Sequence, residues 1–250
     1  MKIIGSDYDG TLNHNGIDDV KKAAISKWRS KGNVFALVTG RGIEDLIELY
    51  ARHSFECDYF VGYNGAVITK TDGTVVFSAE CDGKLAPRVV KHLLDMGCFE
   101  IWIGAEQSFE VFEQNIAIDE SSGVTLKDVP SFDSFLQISA LCNNSDESKA
   151  VVESLDLEFG DLLNPLQNDR CINIVRKDIN KARGLYALME LLNAEYDDVI
   201  AVGDNVNDRD MIAEFRSYAM ENGVDLIKNL ADFVTPGVTE LIEKELAASV

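Results

Sequence analysis

Four apolar runs along the chain each stop at a polar or glycine-containing turn: Ile3-Ile4-Gly5-Ser6, Val34-Phe35-Ala36-Leu37-Val38, Tyr59-Phe60-Val61-Gly62 and Val199-Ile200-Ala201-Val202. Runs of this kind, without polar alternation, predict strands covered on both faces. Between the first three lie segments whose apolar residues recur at helical spacing. Asp18 to Lys31 predicts a helix with Val20, Ala24 and Trp28 inward, closed by Gly32. Ile43, Leu46, Ile47 and Tyr50 mark a second helix. Strand, helix, strand, helix, strand implies right-handed crossovers and a parallel sheet.

The rhythm changes near residue 66. Val67-Ile68-Thr69 and Val75-Val76-Phe77, joined by Thr71-Asp72-Gly73, predict a hairpin. Leu85 to Met96 predicts a helix ending at Gly97, and Phe99 to Ile103 and Phe109 to Phe112 alternate as half-buried strands. A strand over Phe135 to Leu141, a helix near Glu147 to Leu157 and a strand over Cys171 to Val175 follow. Helices packed on one face of an antiparallel sheet form an α+β unit of their own. The first rhythm resumes at Lys181, with Leu185, Leu188, Met189 and Leu192 leading into Val199 to Val202, then short strands at Tyr218-Ala219-Met220 and Phe233-Val234. The expected organisation is a discontinuous α/β core over 1–80 and 180–250, interrupted by an inserted α+β domain over 81–179.

Acidic residues number 43 against 23 basic ones, a formal net charge of −20. That field repels nucleic acid and anionic lipid, so neither is expected as a partner. No apolar stretch reaches the length of a membrane span. The strand at Ile3 leaves no space for a secretory leader, so the expected location is cytoplasmic. The five cysteines are widely spaced and contain no Cys-x-x-Cys, which points to neither a disulfide framework nor a zinc site. The three histidines show no ligand spacing.

The chemistry collects just after the core strands, where open parallel sheets bind ligands. The first strand ends in Asp7-Tyr8-Asp9-Gly10-Thr11, and two carboxylates at a strand end can share a divalent cation and still offer an oxygen for chemistry. Asp204 and Asp208, in Gly203-Asp204-Asn205-Val206-Asn207-Asp208, lie one helical turn apart and can face one point. A helix cap would use one such residue, whereas this stretch supplies four and then Asp210. Carboxylates gathered in a cleft repel unless neutralised, and Mg²⁺ suits such oxygen ligands. Thr39 and Gly40 predict an anion seat at a helix start, with Lys181 as a point positive charge. Together they describe a phosphoryl group held between cation, lysine and helix N-terminus.

In this order the motifs resemble those of the haloacid dehalogenase superfamily of phosphatases: Asp7-Tyr8-Asp9-Gly10-Thr11, then Thr39-Gly40-Arg41, then Lys181, then Gly203-Asp204 with Asn207-Asp208. More narrowly, Asn64-Gly65-Ala66, Met220-Glu221-Asn222-Gly223 and Ala231-Asp232-Phe233-Val234-Thr235 are similar to strings of its Cof-type subgroup. The resemblance covers the core. It implies a Rossmann-like parallel-sheet fold with a large cap inserted after the third core strand.

The resemblance also implies a mechanism. Asp7 would attack phosphorus and form an aspartyl-phosphate, and Asp9 would act as general acid and then base. Mg²⁺ would be held by the Asp7 carboxylate, the Asp9 main-chain carbonyl and Asp204, with Asp208 aligning bound water or the ion. Thr39, Gly40 and Lys181 would hold the phosphoryl group, supported by Asn207. The implied substrate is a small phosphorylated metabolite of the sugar-phosphate kind, which the cap would select. Two residues depart from the subgroup's pattern: Tyr8 replaces a frequent aliphatic residue, and Asn173 stands where a glutamate is common. Arg41 has two readings, substrate contact or a solvated helix residue. Two other functions share these residues: a phosphomutase or phosphotransferase, and a non-enzymatic phospho-aspartate regulator. The sequence does not decide oligomeric state.

Overall fold

The protein is described by a computed structural model covering residues 1–105, 107–119 and 123–248. It divides into two compact units, one of residues 1–77 and 180–250 and one of residues 78–179.

The first unit opens with β1 (Ile3–Ser6), α1 (Asp19–Ser30), β2 (Val34–Val38), α2 (Ile43–His53), β3 (Tyr59–Gly62), β4 (Val67–Lys70) and β5 (Val75–Ser78). In the second unit follow β6 (Cys81–Asp82), α3 (Ala86–Asp95), β7 (Phe99–Gly104), β8 (Ser108–Val111), β9 (Ile116–Asp119), β10 (Gly123–Leu126), β11 (Ser134–Phe135), β12 (Gln137–Leu141), α4 (Ser145–Phe159), β13 (Leu163–Asn168) and β14 (Cys171–Arg176). The first unit then resumes with α5 (Lys181–Leu191), β15 (Val199–Gly203), α6 (Arg209–Glu214), β16 (Arg216–Met220), α7 (Asp225–Leu230), β17 (Phe233–Thr235) and α8 (Val238–Ala248).

Among the described residues the first unit's sheet has the order β17-β16-β15-β1-β2-β3-β4-β5. Every pairing from β17 to β3 is parallel, and β4 turns back antiparallel on β3. This is the expected α/β class. The central strands β1, β2 and β15 are buried at every position because both faces are covered. Ile4, Phe35, Leu37, Phe60, Ile200 and Val202 pack with Ile25, Trp28 and Leu241 on one side. Ile3, Ala36, Val38, Val61, Val199 and Ala201 pack with Leu185, Leu188 and Met211 on the other. Successive strand residues thus serve opposite layers, as the two-residue period requires. The buried Trp28 indole N–H donates to the Val34 carbonyl at 2.8 Å, fastening α1 to the sheet.

Two helix faces differ from expectation. Val20 is 63 % exposed, and Ala24, Ile25 and Trp28 form the inner stripe of α1. Ile47 is also partly exposed, at 38 %, while Leu46 is fully buried and Ile43, Leu49 and Tyr50 pack beside the core. The other expected positions, Ala24 and Trp28 in α1 and Ile43, Leu46 and Tyr50 in α2, do face the core, so each stripe is as expected except for one residue at its margin.

The second unit is a five-stranded antiparallel sheet of order β13-β14-β12-β7-β8, with α3 and α4 contributing to one apolar core. The expected strand over Phe135 to Leu141 is two: β11 pairs with β6, and β12 enters the sheet. Glu100 has φ 48°, where the register between β7 and β12 shifts, so a bulge interrupts the alternation of the sequence. The strand β13 contains Pro165, which the edge position tolerates because one side of an edge strand needs no donor.

Candidate active site

The candidate residues follow β1, β2 and β15, adjacent parallel strands whose ends lie along one edge of the sheet. The Asp7 amide donates to the Val202 carbonyl at 2.9 Å, extending the β1–β15 ladder one step and placing Asp7 at the β15 end. The chain then turns: the Leu12 amide donates to Asp7 O and the Asn13 amide to Tyr8 O. Gly10 sits in this turn at φ +81°, and a Cβ there would lie 2.4 Å from Asp204 Oδ2. Glycine is required both by the backbone and by the approach of a carboxylate.

Lys181, the first residue of α5, is fully buried. Its Nζ donates to Asp7 Oδ1 at 2.7 Å and to Asp208 Oδ1 at 2.5 Å. Asp208 is fully buried, and its other oxygen accepts the amides of Asp204 and Asn205, each at 2.9 Å. The β15–α6 turn therefore folds around the Asp208 carboxylate, and a Cβ on Gly203 would collide with it. Thr11 Oγ1 donates to Asp204 Oδ1 at 2.6 Å, joining the two turns. Asn222 Nδ2 donates to the Gly10 carbonyl at 2.9 Å and fastens the first turn to the loop after β16.

The carboxylate oxygens of Asp7, Asp204 and Asp208 lie within 4.8 Å of one another. Burial pushes the Asp7 carboxyl well above the usual range; Lys181 draws it back, and Asp208 and Asp204 raise it further. Burial raises Asp204 as well, with the Thr11 hydroxyl opposing and Asp208 adding to the rise. For Lys181 burial acts to lower the pKa, but Asp208 and Asp7 more than reverse it, so the ammonium stays charged. When all three carboxylates are ionised, the ammonium offsets one charge and two remain, and the upward shifts of Asp7 and Asp204 reflect the cost of that state. A divalent cation with oxygen ligands would cancel those two charges, so the donor set fits Mg²⁺.

The Asp9 carboxylate does not join this cluster. It is half-exposed and held by Arg41, whose Nε donates to Oδ2 at 2.6 Å and whose terminal nitrogen donates to Oδ1 at 2.8 Å. Arg41 also lies 5.7 Å from the Tyr8 ring centroid. The hydrogen bonds that Arg41 donates to Asp9 raise the Arg41 pKa against the effect of burial. The role expected for Asp9 at a metal uses its main-chain carbonyl and does not draw on this side chain.

Thr39 is buried, and its Oγ1 accepts the Arg41 amide at 3.3 Å. Gly40 does not stand at the start of α2 as expected: Gly42 is the N-cap, two residues on. Thr39 and Gly40, expected to seat an anion, thus lie in the bend between β2 and α2 rather than at the helix start. Asn207 lies half-exposed in the turn before α6. Sequence reasoning assigned no role to Thr11, though it ends the first motif, and none to Asn222, whose contact spans 212 positions. For Arg41 it offered substrate contact or a solvated helix residue, and not the pairing with Asp9.

An α/β sheet with three clustered carboxylates, a buried lysine and a threonine at one strand edge marks a hydrolase-type core with an acidic site. The family model for haloacid dehalogenase-like hydrolases matches residues 4–240. The chain belongs to that family and is an enzyme of it. Among curated relatives, the 5-amino-6-(5-phospho-D-ribitylamino)uracil phosphatase YbjI of Escherichia coli is 26% identical, with 98% of this chain and 96% of that protein covered. A phosphoglycolate phosphatase of Methanosarcina mazei is 25% identical, with 97% and 96% covered. These names bear out the expected phosphatase class. Among solved structures, a haloacid dehalogenase-like hydrolase from B. subtilis superposes with TM-score 0.82 at 18% identity, covering 97% of this chain and 99% of that one. The subclass IIB sugar phosphatase BT4131 superposes with TM-score 0.74 at 19% identity, covering 98% of both. At these identities the structures bear out the fold.

Proposed function

We propose that this enzyme is a Mg²⁺-dependent phosphatase that hydrolyses small phosphorylated metabolites of the sugar-phosphate kind through an aspartyl-phosphate on Asp7. The observation that carries the reading is the buried Asp7–Lys181–Asp208 array beside Asp204, which leaves two negative charges for a divalent cation when all three carboxylates are ionised.

In this reading an Asp7 carboxylate oxygen bonds to phosphorus as the bond to the leaving oxygen breaks, and Asp9 gives that oxygen its proton. Asp9 then takes a proton from the water that attacks phosphorus, which releases phosphate and restores Asp7. Lys181 orients Asp7 and sets a positive charge beside the phosphoryl oxygens, with Thr39 and the Gly40 region completing their seat. Asp7, Asp204 and the Asp9 main-chain carbonyl would hold Mg²⁺, with Asp208 orienting the arrangement and Asn207 supporting the phosphoryl group. When bound, the ion neutralises charge developing on phosphorus-bound oxygens. The inserted unit is assigned the choice of leaving group, and the net charge of −20 supports a small-molecule substrate rather than nucleic acid. No helix among the described residues is long and apolar enough to cross a membrane, in keeping with the cytoplasmic setting proposed here.

The test is a panel of phosphorylated metabolites assayed for released phosphate with Mg²⁺ and with chelator, in the wild type and in Asp7→Asn. Release that needs the metal and disappears in the variant, with its circular dichroism unchanged, is the expected result. Full turnover in Asp7→Asn would remove Asp7 from the nucleophile role. Release from no monoester, a generic aryl phosphate included, would overturn the phosphatase reading.

A further inference from the structure

Cys98 and Cys142 lie in the second unit with their sulfurs 3.5 Å apart. Cys98 precedes β7 and Cys142 follows β12, one step beyond the Phe99–Leu141 pair of the antiparallel register. They are therefore cross-strand neighbours. The Cys98 amide donates to Leu93 O and the Cys142 amide to Arg170 O, so neither amide is spent on the other residue. Opposed residues of that kind bring their Cα atoms to roughly 4.5 Å, within the span a disulfide bridges. Both thiols are free and buried. No part of the phosphatase reading uses them.

We propose that Cys98 and Cys142 are a modification site, a dithiol that closes to a disulfide by exchange with a low-molecular-weight disulfide. The sulfurs need to approach by roughly 1.5 Å to reach bonding distance, a movement that side-chain rotation supplies. Burial raises both thiol pKa values, and the contact between the sulfurs adds to the rise at Cys98 and opposes it at Cys142, which favours Cys142 as the attacking sulfur. Its thiolate attacks one sulfur of the oxidant, forming a mixed disulfide and expelling one thiolate. Cys98 then attacks the Cys142 sulfur and expels the second. The protein loses two electrons and two protons; the oxidant gains them and leaves as two thiols. Because both sulfurs are buried, exchange proceeds through local opening of the strand ends and is slow. The closed bond ties β7 to β12 and encloses the segment carrying β8 to β11.

The experiment incubates the folded wild-type protein with oxidised glutathione, quenches in acid, alkylates free thiols and maps peptides by mass spectrometry. The expected result is a mass lower by about 2 Da, three alkylated cysteines in place of five, and a cross-linked peptide pair containing Cys98 and Cys142 that dithiothreitol separates. Cys171→Ser is expected to cross-link as the wild type does. The proposal is overturned if all five thiols stay free, if glutathione adds without closure, if the cross-link joins Cys171, or if it forms only in denaturant. The readout is a bond in the protein, so its failure is distinct from failure of the phosphatase reading.

Discussion

Lys181→Met removes the ammonium that two buried carboxylates share while keeping the side chain's length and most of its volume. Lys181 Nζ reaches Asp7 at 2.7 Å and Asp208 at 2.5 Å, and all three side chains are almost wholly out of water. Removing one partner of a buried ion pair costs about 3–5 kcal/mol, because the other charge is left without solvent or countercharge. For a unit of this size that is a fall in melting temperature of about 10 °C. The pH dependence has a definite sign. Asp7 already titrates well above the usual carboxylate range, chiefly through burial, and losing Lys181 raises it further. A raised folded-state pKa contributes stability that is complete below the unfolded value and is lost as pH rises through the folded one. The deficit of the variant is therefore largest at neutral to alkaline pH and shrinks on acidification toward the carboxylate range. Urea unfolding in chelator at pH 5.5 and 8 measures it. The chain has two tryptophans, the buried Trp28 of the first unit and the exposed Trp102 of the second, so a Trp102→Phe background makes Trp28 the reporter. A loss below about 1 kcal/mol at pH 8, or a deficit that grows with acid, would refute the buried-charge account.

Three further outcomes follow from the same geometry. Gly10→Ala places a Cβ 2.4 Å from Asp204 Oδ2 at φ +81°, so phosphate release should fall at least tenfold with a loss of roughly 1–3 kcal/mol in stability, read by kinetics and urea melts. Arg41→Ala frees Asp9 from a half-exposed ion pair; stability should change by less than about 1 kcal/mol, while kcat drops more than KM changes. Glu245, buried in α8, accepts from Arg216, from the Tyr218 hydroxyl at 2.5 Å and from Lys2. Burial works to raise its pKa, but Tyr218 and Arg216 outweigh it and leave it lowered. Its stabilisation is thus complete above the ordinary glutamate pKa and lost as pH falls through the folded value. Glu245→Gln should cost about 2 kcal/mol at pH 7 and less in acid, as thermal melts across that range would show.

Much of the core was legible because its determinants are local. An unbroken apolar run such as Val34 to Val38 has few homes besides a doubly covered strand, and Asp18 and Gly32 bracket α1 by capping and left-handed turn chemistry. The second unit was read less well. Its bulge at Glu100, its proline-bearing edge strand β13 and the division of residues 134–141 all depend on which strand lies alongside. A pairing partner is not a property of the segment itself.

The same division runs through the site. The order and spacing of Asp7, Asp9, Thr39, Lys181, Asp204 and Asp208 already specified acidic chemistry at strand ends, since each lies within a few residues of a strand or helix boundary. What only the tertiary structure decided is where the charges go. Lys181, which alone would pass for a surface lysine, is fully buried between two carboxylates, and Asp9 is turned out to Arg41. Coulomb energy and desolvation depend on distance and burial in space, and neither is written in the spacing of residues along a chain.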